Sequence, residues 1–427
     1  MATIKQIWAR EILDSRGMPT IEVAGQLDSG QIAVFSVPAG ASTGSHEAIE
    51  LRDQDEDRFY GKGVLKAVNN VNTVLAQAVL GKDPSNQEEI DNILINLDGT
   101  PNKSKLGANA ILAVSGLALR LGAIANNLTL YSWVLSLMKK MGITVYTKIP
   151  TPIFNIVNGG LHGASNLDFQ EFHIVPVSSK SYSEGLRMAA EIYMVAGNKL
   201  RQKGAIHSVG DEGGFAPNLF TNMDALELLV ESIKQTRYGL GRDVFLGLDA
   251  AASVFYKNGS YQIKDKTSPL DKPAMLEYYK VLNDQYHLAI LEDPLEEDDW
   301  EGWKKITEML ASETIIVGDD LLVTNPEKVQ KAITEKACTA VLVKPNQVGT
   351  ISETLKVIKL ARENGLKIVV SHRSGETNDW FIADFAVGVG ADYVKFGAPA
   401  RGERVAKYNR LLTIESEISA YLKQNAS

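Results

Sequence analysis

The sequence predicts an α/β protein in which an N-terminal α+β domain precedes a modified (β/α)₈ barrel. Apolar and polar residues alternate over 3–12 and 20–37, which is typical of strands with one buried face. From about residue 148, eight short apolar runs recur, mostly separated by stretches with helical spacing, as in a barrel of alternating strands and helices. The domains are expected at residues 1–140 and 141–427.

Composition limits the class of protein. The chain has 427 residues, 44% hydrophobic and 22% charged, so it can bury a large core. Its formal net charge of −8 argues against nucleic acid as the primary ligand and favours a small molecule. The start MATIKQIWAREILDSRG lacks an apolar signal core, and no apolar run approaches the roughly 20 residues of a membrane span. A cytoplasmic protein without a membrane span is expected, with Cys338 as a packing residue.

Two patterns of apolar residues, one with the two-residue period of strands and one with helical spacing, predict the N-terminal domain. The two alternating stretches are separated by the turn sequences DSRGMP and DSG, which predicts a short antiparallel meander. Segments 64–80, 87–95 and 107–126 then carry apolar residues at three- and four-residue spacing, which predicts helices covering one face of the meander.

The barrel is predicted to open irregularly. The first two apolar runs lie too close together for a helix between them, and a double helical segment (182–203 and 222–236) separates the second run from the third. The eight runs, interpreted as parallel-type strands, are IPTPIFNIVN, FQEFHIVPV, VFLGLD, LAILED, TIIVGDD, AVLVKPN, KIVVSHRS and ADYVKFG.

Six successive runs end in an ionisable residue. Such a residue after a strand is commonly a helix cap or a surface charge, but strand C-terminal ends of a barrel converge on one mouth, where active sites of this fold lie. Charges converging there are costly to bury without a ligand, which favours a functional site. The residues are Asp249, Glu292, Asp319, Lys344, the pair His372 and Arg373, and Lys395.

The carboxylates among these residues indicate an oxygen-preferring cation. Asp249, Glu292 and Asp319 come from three strands, with no cysteine or His-x-His spacing among them, which favours Mg²⁺ over zinc.

Three glycine-rich segments carry further reactive groups. PAGASTG (38–44) contains Ser42, VNGGLHGAS (157–165) contains His162, and VGDEGGFAP (209–217) contains Glu212. Each segment is equally consistent with an ordinary turn. Glycine also permits the motion of a closing lid that would exclude water from the mouth.

Long ordered motifs in this sequence resemble the enolase family. They are DSRGMPT, LDGTPNKSKLGANAILAVS, SVGDEGGFAP, LEDP, VGDDLLVTNP, VKPNQVGT, SHRSGET and GAPARGER, and the match runs from about residue 5 to residue 416. The resemblance implies a barrel that opens ββαα and a homo-oligomer, dimer or octamer. It also implies reversible dehydration of 2-phosphoglycerate to phosphoenolpyruvate in glycolysis and gluconeogenesis, by lysine-mediated proton abstraction, an enolate stabilised by Mg²⁺ and glutamate-assisted loss of hydroxide.

The resemblance also assigns roles, residue by residue. Two Mg²⁺ ions are implied per site, the first held by Asp249, Glu292 and Asp319 and the second arriving with substrate at Ser42. Lys344 resembles the general base and Glu212 the general acid, with Glu171 and His162 as further catalytic residues. The implied substrate contacts are Ser42, His162, Gln170, Glu171, Lys344, His372, Arg373, Ser374 and Lys395.

These roles require particular protonation states. A base must be neutral, and two Mg²⁺ ions with Lys395 are expected to lower the pKa of Lys344. A proton donor must hold its proton, and Glu171 is expected to keep Glu212 protonated.

Rival hypotheses share several of these features. A racemase or sugar-acid dehydratase of the same superfamily would have the same barrel and metal, but would not need Ser42 or the phosphate-gripping Arg373 and Ser374. A catalytically inactive relative is a second hypothesis. A third is a secondary cell-surface role that captures plasminogen, although the chain ends LKQNAS without a terminal lysine. Residues that depart from the family pattern, with effects expected on lid closure and assembly, are Met18, Ala39, Val254, Asn378 and Thr413.

Overall fold

The amino-terminal strands form a three-stranded antiparallel sheet. The computed structural model describes residues 2–40, 46–163 and 166–425. In it, β1 (Ile4–Leu13), β2 (Pro19–Leu27) and β3 (Ile32–Ser36) pair in the order β1-β2-β3. Alternate residues of β2 such as Ile21 and Val23 are fully buried, so the period of two creates the core face. The predicted meander is confirmed.

Helices cover the buried face of this sheet. They are α1 (Leu65–Asn70), a π-helical turn (Val71–Leu75), α2 (Ala76–Val79), α3 (Gln87–Asp98), α4 (Ala108–Ala125) and α5 (Leu130–Lys140). Gly116 of α4 lies against Phe35 of β3 so closely that an added Cβ would be 2.4 Å from its ring. The sequence pattern did not predict α5 as a separate helix.

Helix α4 is long and apolar enough, by length and composition alone, to cross a membrane. Because 83% of this helix is buried inside the protein, it serves as the core helix of the first domain and is weak evidence for a span.

Eight strands then close a barrel. They are β4 (Thr151–Asn158), β5 (Glu171–Pro176), β6 (Val244–Asp249), β9 (Ile290–Glu292), β10 (Ile315–Gly318), β11 (Ala340–Val343), β12 (Lys367–Ser371) and β13 (Tyr393–Lys395), with a separate hairpin of β7 (Tyr256–Lys257) and β8 (Ser260–Tyr261). The order of the strands around the barrel is β10-β11-β12-β13-β4-β5-β6-β9.

Helices between the barrel strands and after the last strand complete the second domain. They are α6 (Tyr182–Gln202), α7 (Asn222–Lys234), α8 (Lys272–Tyr286), α9 (Trp300–Leu310), α10 (Pro326–Glu335), α11 (Pro345–Val348), α12 (Ile351–Glu363), α13 (Phe381–Gly388) and α14 (Gly402–Asn425). In the part of the chain that the structure describes, 3₁₀ turns lie at Phe59–Gly61, Gly160–His162 and Ala252–Val254.

One barrel strand, β5, is antiparallel to its neighbours. The expectation of eight parallel-type strands is wrong for β5, which is antiparallel to both β4 and β6, whereas the irregular ββαα opening is confirmed. Among the described residues between β4 and β5, the 3₁₀ turn Gly160–His162 is too short to return the chain to the far end of the barrel, so β5 runs in the opposite direction. Glu171, the first residue of β5, therefore lies at the same mouth as Asp249, the last residue of β6, with which it pairs.

The barrel interior below the mouth is a packed apolar core. Its buried residues are Ile153, Val175, Ile290, Val317, Ala340, Leu342 and Val369. Cys338 is buried too, and burial raises the pKa of its thiol to about 12, as expected of a packing residue.

The N-terminal domain contacts the barrel near the mouth. Ala39 and Gly375 exchange two backbone hydrogen bonds of 2.8 Å. Helix α5 ends at Lys140 and β4 begins at Thr151. The boundary between residues 140 and 141 stays a prediction.

Candidate active site

The ends of the barrel strands bring the ionisable residues together. Strands β6, β9 and β13 end at Asp249, Glu292 and Lys395, and Asp319 and Lys344 follow β10 and β11 directly. A small cavity, with about 20 Å³ of space for the centre of a water-sized molecule, lies at this mouth. Its lining residues are His162, Gln170, Glu171, Glu212, Asp249, Lys344, Ser371, His372, Arg373, Ser374 and Lys395.

Lys395 lies at the centre of a buried cluster of carboxylates. Its Nζ is 2.8 Å from Asp249 Oδ2, 2.9 Å from both carboxylate oxygens of Glu292 and 3.3 Å from Glu171 Oε1. Burial opposes the charge, but Asp249, Glu171 and Glu292 outweigh it and raise the pKa of Lys395 well above its ordinary value. Gln170 Nε2 also donates to Asp249 Oδ2 at 3.3 Å.

Positive charge is in deficit in this cluster. Burial raises the pKa of Glu292 well above its ordinary value, and the negative charge of Asp249 raises it further. The positive charge of Lys395 lowers this pKa but does not outweigh the two effects. A carboxylate with so unfavourable an environment is a chemically suitable ligand for an additional cation.

Lys344 forms an ion pair with Asp319. Burial and neighbouring cations including Lys395 act to lower the pKa of Lys344, but Asp319 outweighs them and raises it. The lowering expected from two Mg²⁺ ions together with Lys395 stays a prediction, because the raised pKa reflects the protein's own residues alone. Asp319 is both the predicted metal ligand and the partner that keeps Lys344 charged, so the two assignments are coupled.

Glu212 lies on the other side of the cavity, between two histidines. Its Oε2 is 3.1 Å from His372 Nε2, and its Oε1 is 3.5 Å from His162 Nδ1. Burial and Glu171 raise the pKa of Glu212, but His372 and His162 outweigh them and lower it to about 2. The expectation that Glu171 keeps Glu212 protonated is wrong in this geometry, because both histidines favour the carboxylate.

The donor set suits a hard divalent cation. Among the described residues, two sets of three side chains have ligand atoms within 4.8 Å of one another, namely Asp293, Asp319 and Asp320, and His162, Glu171 and Glu212. The predicted triad Asp249, Glu292 and Asp319 is not one of these sets, since Lys395 and Lys344 lie between its carboxylates. All of its donors are nevertheless carboxylate oxygens, which Mg²⁺ prefers.

Some buried polar atoms near the mouth have no hydrogen-bond partner among the described residues. They include Gln170 Oε1, Asn155 Oδ1 and both side-chain polar atoms of Asn158. Since buried polar groups are almost always hydrogen-bonded, the oxygen of Gln170, which lines the cavity, indicates a polar ligand or ordered water there.

Most of the predicted site residues lie in one place. Ser42 is the exception, because it falls outside the described residues. Sequence reasoning missed Glu47, which lies against Arg373, and His173, whose Nε2 is 2.8 Å from Glu171 Oε2. Glu47 closely follows the glycine-rich segment 38–44, and that proximity could have drawn attention to it.

Two family models match this chain. Residues 4–134 match one described as Enolase, N-terminal domain, and residues 146–426 match one described as Enolase, C-terminal TIM barrel domain.

The chain belongs to the enolase family. The resemblance found in the sequence motifs is thereby confirmed. As an enolase-superfamily lyase, the chain is expected to use a divalent metal and a small-molecule substrate, and the acidic mouth of the barrel suits both.

Proposed function

We propose that this enolase-family chain catalyses the reversible dehydration of 2-phospho-D-glycerate to phosphoenolpyruvate, the phosphopyruvate hydratase reaction of glycolysis and gluconeogenesis. The observation that carries the proposal is the convergence of Lys344, Lys395 and Arg373 on one small buried cavity with Glu212 opposite them. The carboxylates Glu171, Glu212 and Asp249 line the same cavity. The three cations, together with the Mg²⁺ ions proposed below, suit a substrate that carries both a carboxylate and a phosphoryl group.

Arg373 and Ser374 are proposed to bind the phosphoryl group. The planar guanidinium of Arg373 offers paired N–H donors that match phosphate oxygens. His372, Gln170, His162 and Lys395 line the same cavity and are proposed as the remaining contacts, together with Glu171 and Lys344.

The proposed metal is Mg²⁺, two ions per site. Asp249, Glu292 and Asp319 would hold the first, and Ser42, together with the substrate, the second. Bound cations would supply positive charge next to the substrate carboxylate and would compete with Lys344 for Asp319.

Lys344 is proposed to remove the proton from C2 of the substrate. The neutral amine accepts that proton, and the electron pair left behind is delocalised into the adjacent carboxylate. Lys344 must first lose its own proton, which depends on weakening its ion pair with Asp319.

Glu212 is proposed to assist the loss of hydroxide from C3. The electron pair at C2 forms the C2–C3 double bond, the C3–O bond breaks, and the departing oxygen takes a proton from Glu212 to leave as water. The histidines that lower the pKa of Glu212 act against this role, so a highly anionic substrate in the cavity must raise that pKa again.

A panel of substrates tests the proposal. ³¹P NMR of the Mg²⁺-supplemented protein with 2-phosphoglycerate should show conversion to phosphoenolpyruvate, while non-phosphorylated sugar acids should remain unchanged by ¹H NMR. Turnover of a sugar acid with no change in 2-phosphoglycerate would favour the rival superfamily dehydratase.

We also propose a homo-oligomer, dimer or octamer, located in the cytoplasm. The family and the nature of the proposed substrate support this proposal. Sedimentation velocity of the purified chain tests the oligomer, and a monomer at micromolar concentration would reject it.

A further inference from the structure

The guanidinium of Arg373 is bound by a carboxylate from the N-terminal domain. Arg373 Nη1 donates to Glu47 Oε2 at 3.0 Å, and Nη2 donates to Glu47 Oε1 at 3.2 Å. The two side chains are only 3% and 7% exposed. This paired geometry fixes the plane of the guanidinium as well as its position.

Glu47 lies on a stretch of chain that the rest of the protein holds in place. The N–H of Ala48 donates to the carbonyl of Gln347 at 2.9 Å. Ile49 donates to the carbonyl of Asn102 at 2.9 Å and accepts from Ala108 at 2.8 Å. These backbone hydrogen bonds anchor Glu47 from both domains.

Gln347 connects this pair to the other half of the site. Its Nε2 donates to Glu47 Oε1 at 3.3 Å and to Asp319 Oδ1 at 3.0 Å. Its Oε1 accepts from Thr324 Oγ1 at 2.6 Å, and the same hydroxyl oxygen accepts from the N–H of Lys344 at 3.0 Å. One buried amide therefore joins Arg373, by way of Glu47, to Asp319.

We propose that Glu47 is the positioning residue that orients Arg373 for the phosphoryl group. Gln347 fixes the position of the Glu47–Arg373 pair relative to Asp319. The inference rests on the proposed function, whose phosphorylated substrate gives Arg373 its role. A guanidinium carries five N–H donors in a planar fork, so its plane determines the direction from which phosphoryl oxygens can approach.

A different role for Glu47 would be that of a competitor, a carboxylate that must leave Arg373 before phosphate binds. The backbone anchors of Ala48 and Ile49 favour positioning, because a competitor must be able to move away. The two roles also predict opposite changes in affinity. If Glu47 positions Arg373, its removal weakens the binding of phosphate. If Glu47 competes with phosphate for Arg373, its removal strengthens that binding.

The test compares Glu47→Gln with Glu50→Gln. Both substitutions remove one negative charge from the same segment, but Glu50 pairs with Arg52 at 2.7 Å and is therefore a matched control. For Glu47→Gln, the KM for 2-phosphoglycerate and the inhibition constant of inorganic phosphate should each rise about tenfold or more, the scale expected for a broken buried charge pair, with a smaller change in kcat. Glu50→Gln should change each by less than about twofold.

Glu47→Asp extends the test and replaces Glu47→Gln if that variant does not fold. It retains the charge but shortens the side chain by one methylene, so a positioning role predicts a raised KM for this variant too. An unchanged or lowered KM in a folded Glu47 variant, or an equal rise in Glu50→Gln, would overturn the proposal.

Direct titration with inorganic phosphate separates this inference from the proposed function. If the wild-type protein does not dehydrate 2-phosphoglycerate, the proposed function fails. Phosphate affinity measured by calorimetry on wild type and Glu47→Gln would still show whether Glu47 positions Arg373, and equal affinities would reject that role.

Discussion

Arg404 donates a hydrogen bond from Nη1 to Nδ1 of His372 across 2.6 Å. A guanidinium can only donate, so Nδ1 of His372 is the unprotonated nitrogen and Nε2–H is directed at Glu212, 3.1 Å away. One buried arginine thus sets the tautomer of a histidine in the cavity.

This relationship predicts opposite titration of two neighbouring histidines. Burial and Arg404 lower the pKa of His372 below 6.5, whereas Glu212 and Glu171 overcome burial and raise that of His162 above 6.5. Imidazole ¹⁵N NMR at pH 6.5 should show His162 mostly protonated and His372 mostly neutral with its proton on Nε2. Two histidines titrating together near pH 6.5 would contradict the described geometry.

The same shifts give opposite dependences of stability on pH. Because the pKa of His162 is raised on folding, its stabilisation is full below pH 6.5 and is lost as the pH rises through the folded value. His372 acts in the other direction, since the unfolded chain binds its proton more readily and stability falls below pH 6.5. Urea unfolding of a His162→Gln variant against wild type should show a difference that shrinks as the pH rises.

Lys344→Ala should abolish exchange of the C2 hydrogen of 2-phosphoglycerate with solvent. General base catalysis typically contributes about 10²- to 10⁴-fold, so the exchange rate in D₂O, followed by ¹H NMR, should fall by at least about 10². Lys356→Ala, which removes a lysine paired with Glu88 at the surface, is the control and should exchange normally. Undiminished exchange in Lys344→Ala would remove Lys344 as the base.

Glu212→Gln should separate the two chemical steps. The variant keeps Lys344, so C2 exchange should persist, while formation of phosphoenolpyruvate should fall by about 10² or more because the leaving oxygen loses its proton donor. If C2 exchange and phosphoenolpyruvate formation fell together, Glu212 would not be specific to the loss of hydroxide, and its assignment to that step would be wrong.

Removing divalent cations should abolish activity and lower the thermal unfolding midpoint. Mg²⁺ at 100 times its dissociation constant should stabilise the fold by about 2.7 kcal/mol. Glu292→Gln removes one proposed ligand and should weaken this response, measured as the midpoint against Mg²⁺ concentration. A midpoint that does not depend on Mg²⁺ in the wild type would contradict binding of Mg²⁺ to the folded protein, and an undiminished response in Glu292→Gln would place the metal elsewhere.

Gly116→Ala should destabilise the protein although alanine is the better helix former. Its Cβ would lie 2.4 Å from the ring of Phe35, and overpacking of this kind costs about 1–3 kcal/mol. Gly402→Ala meets nothing within 4 Å and is the control, with an expected change within about 0.5 kcal/mol. Urea denaturation measures both, and equal stabilities would contradict the close approach of α4 to β3.

Local patterns predicted most of the fold and the identity of the charged residues at the mouth. Apolar runs in the sequence predict the strands. The ionisable residue at the end of each run, such as Asp249 or Lys395, is read directly from the sequence. The missing helix between the first two runs predicted the irregular opening, and the structure adds that β5 is reversed.

The pairing of charges could not be predicted, because it depends on contacts between distant parts of the chain. Glu47 and Arg373 lie 326 positions apart, and no local pattern links them. The expected protonation of Glu212 was wrong for the same reason, since His372 and His162 lower its pKa only once the chain has folded. The pairing of Lys344 with Asp319, which raises the pKa of Lys344 in the protein alone, likewise depends on the fold.

The most direct test is the ultraviolet absorbance of the wild-type protein mixed with 2-phosphoglycerate. Absorbance from phosphoenolpyruvate should rise only when Mg²⁺ is present, stop rising when a chelator is added and resume with excess Mg²⁺. A demonstrably folded protein that gives no rise with Mg²⁺ present would contradict it.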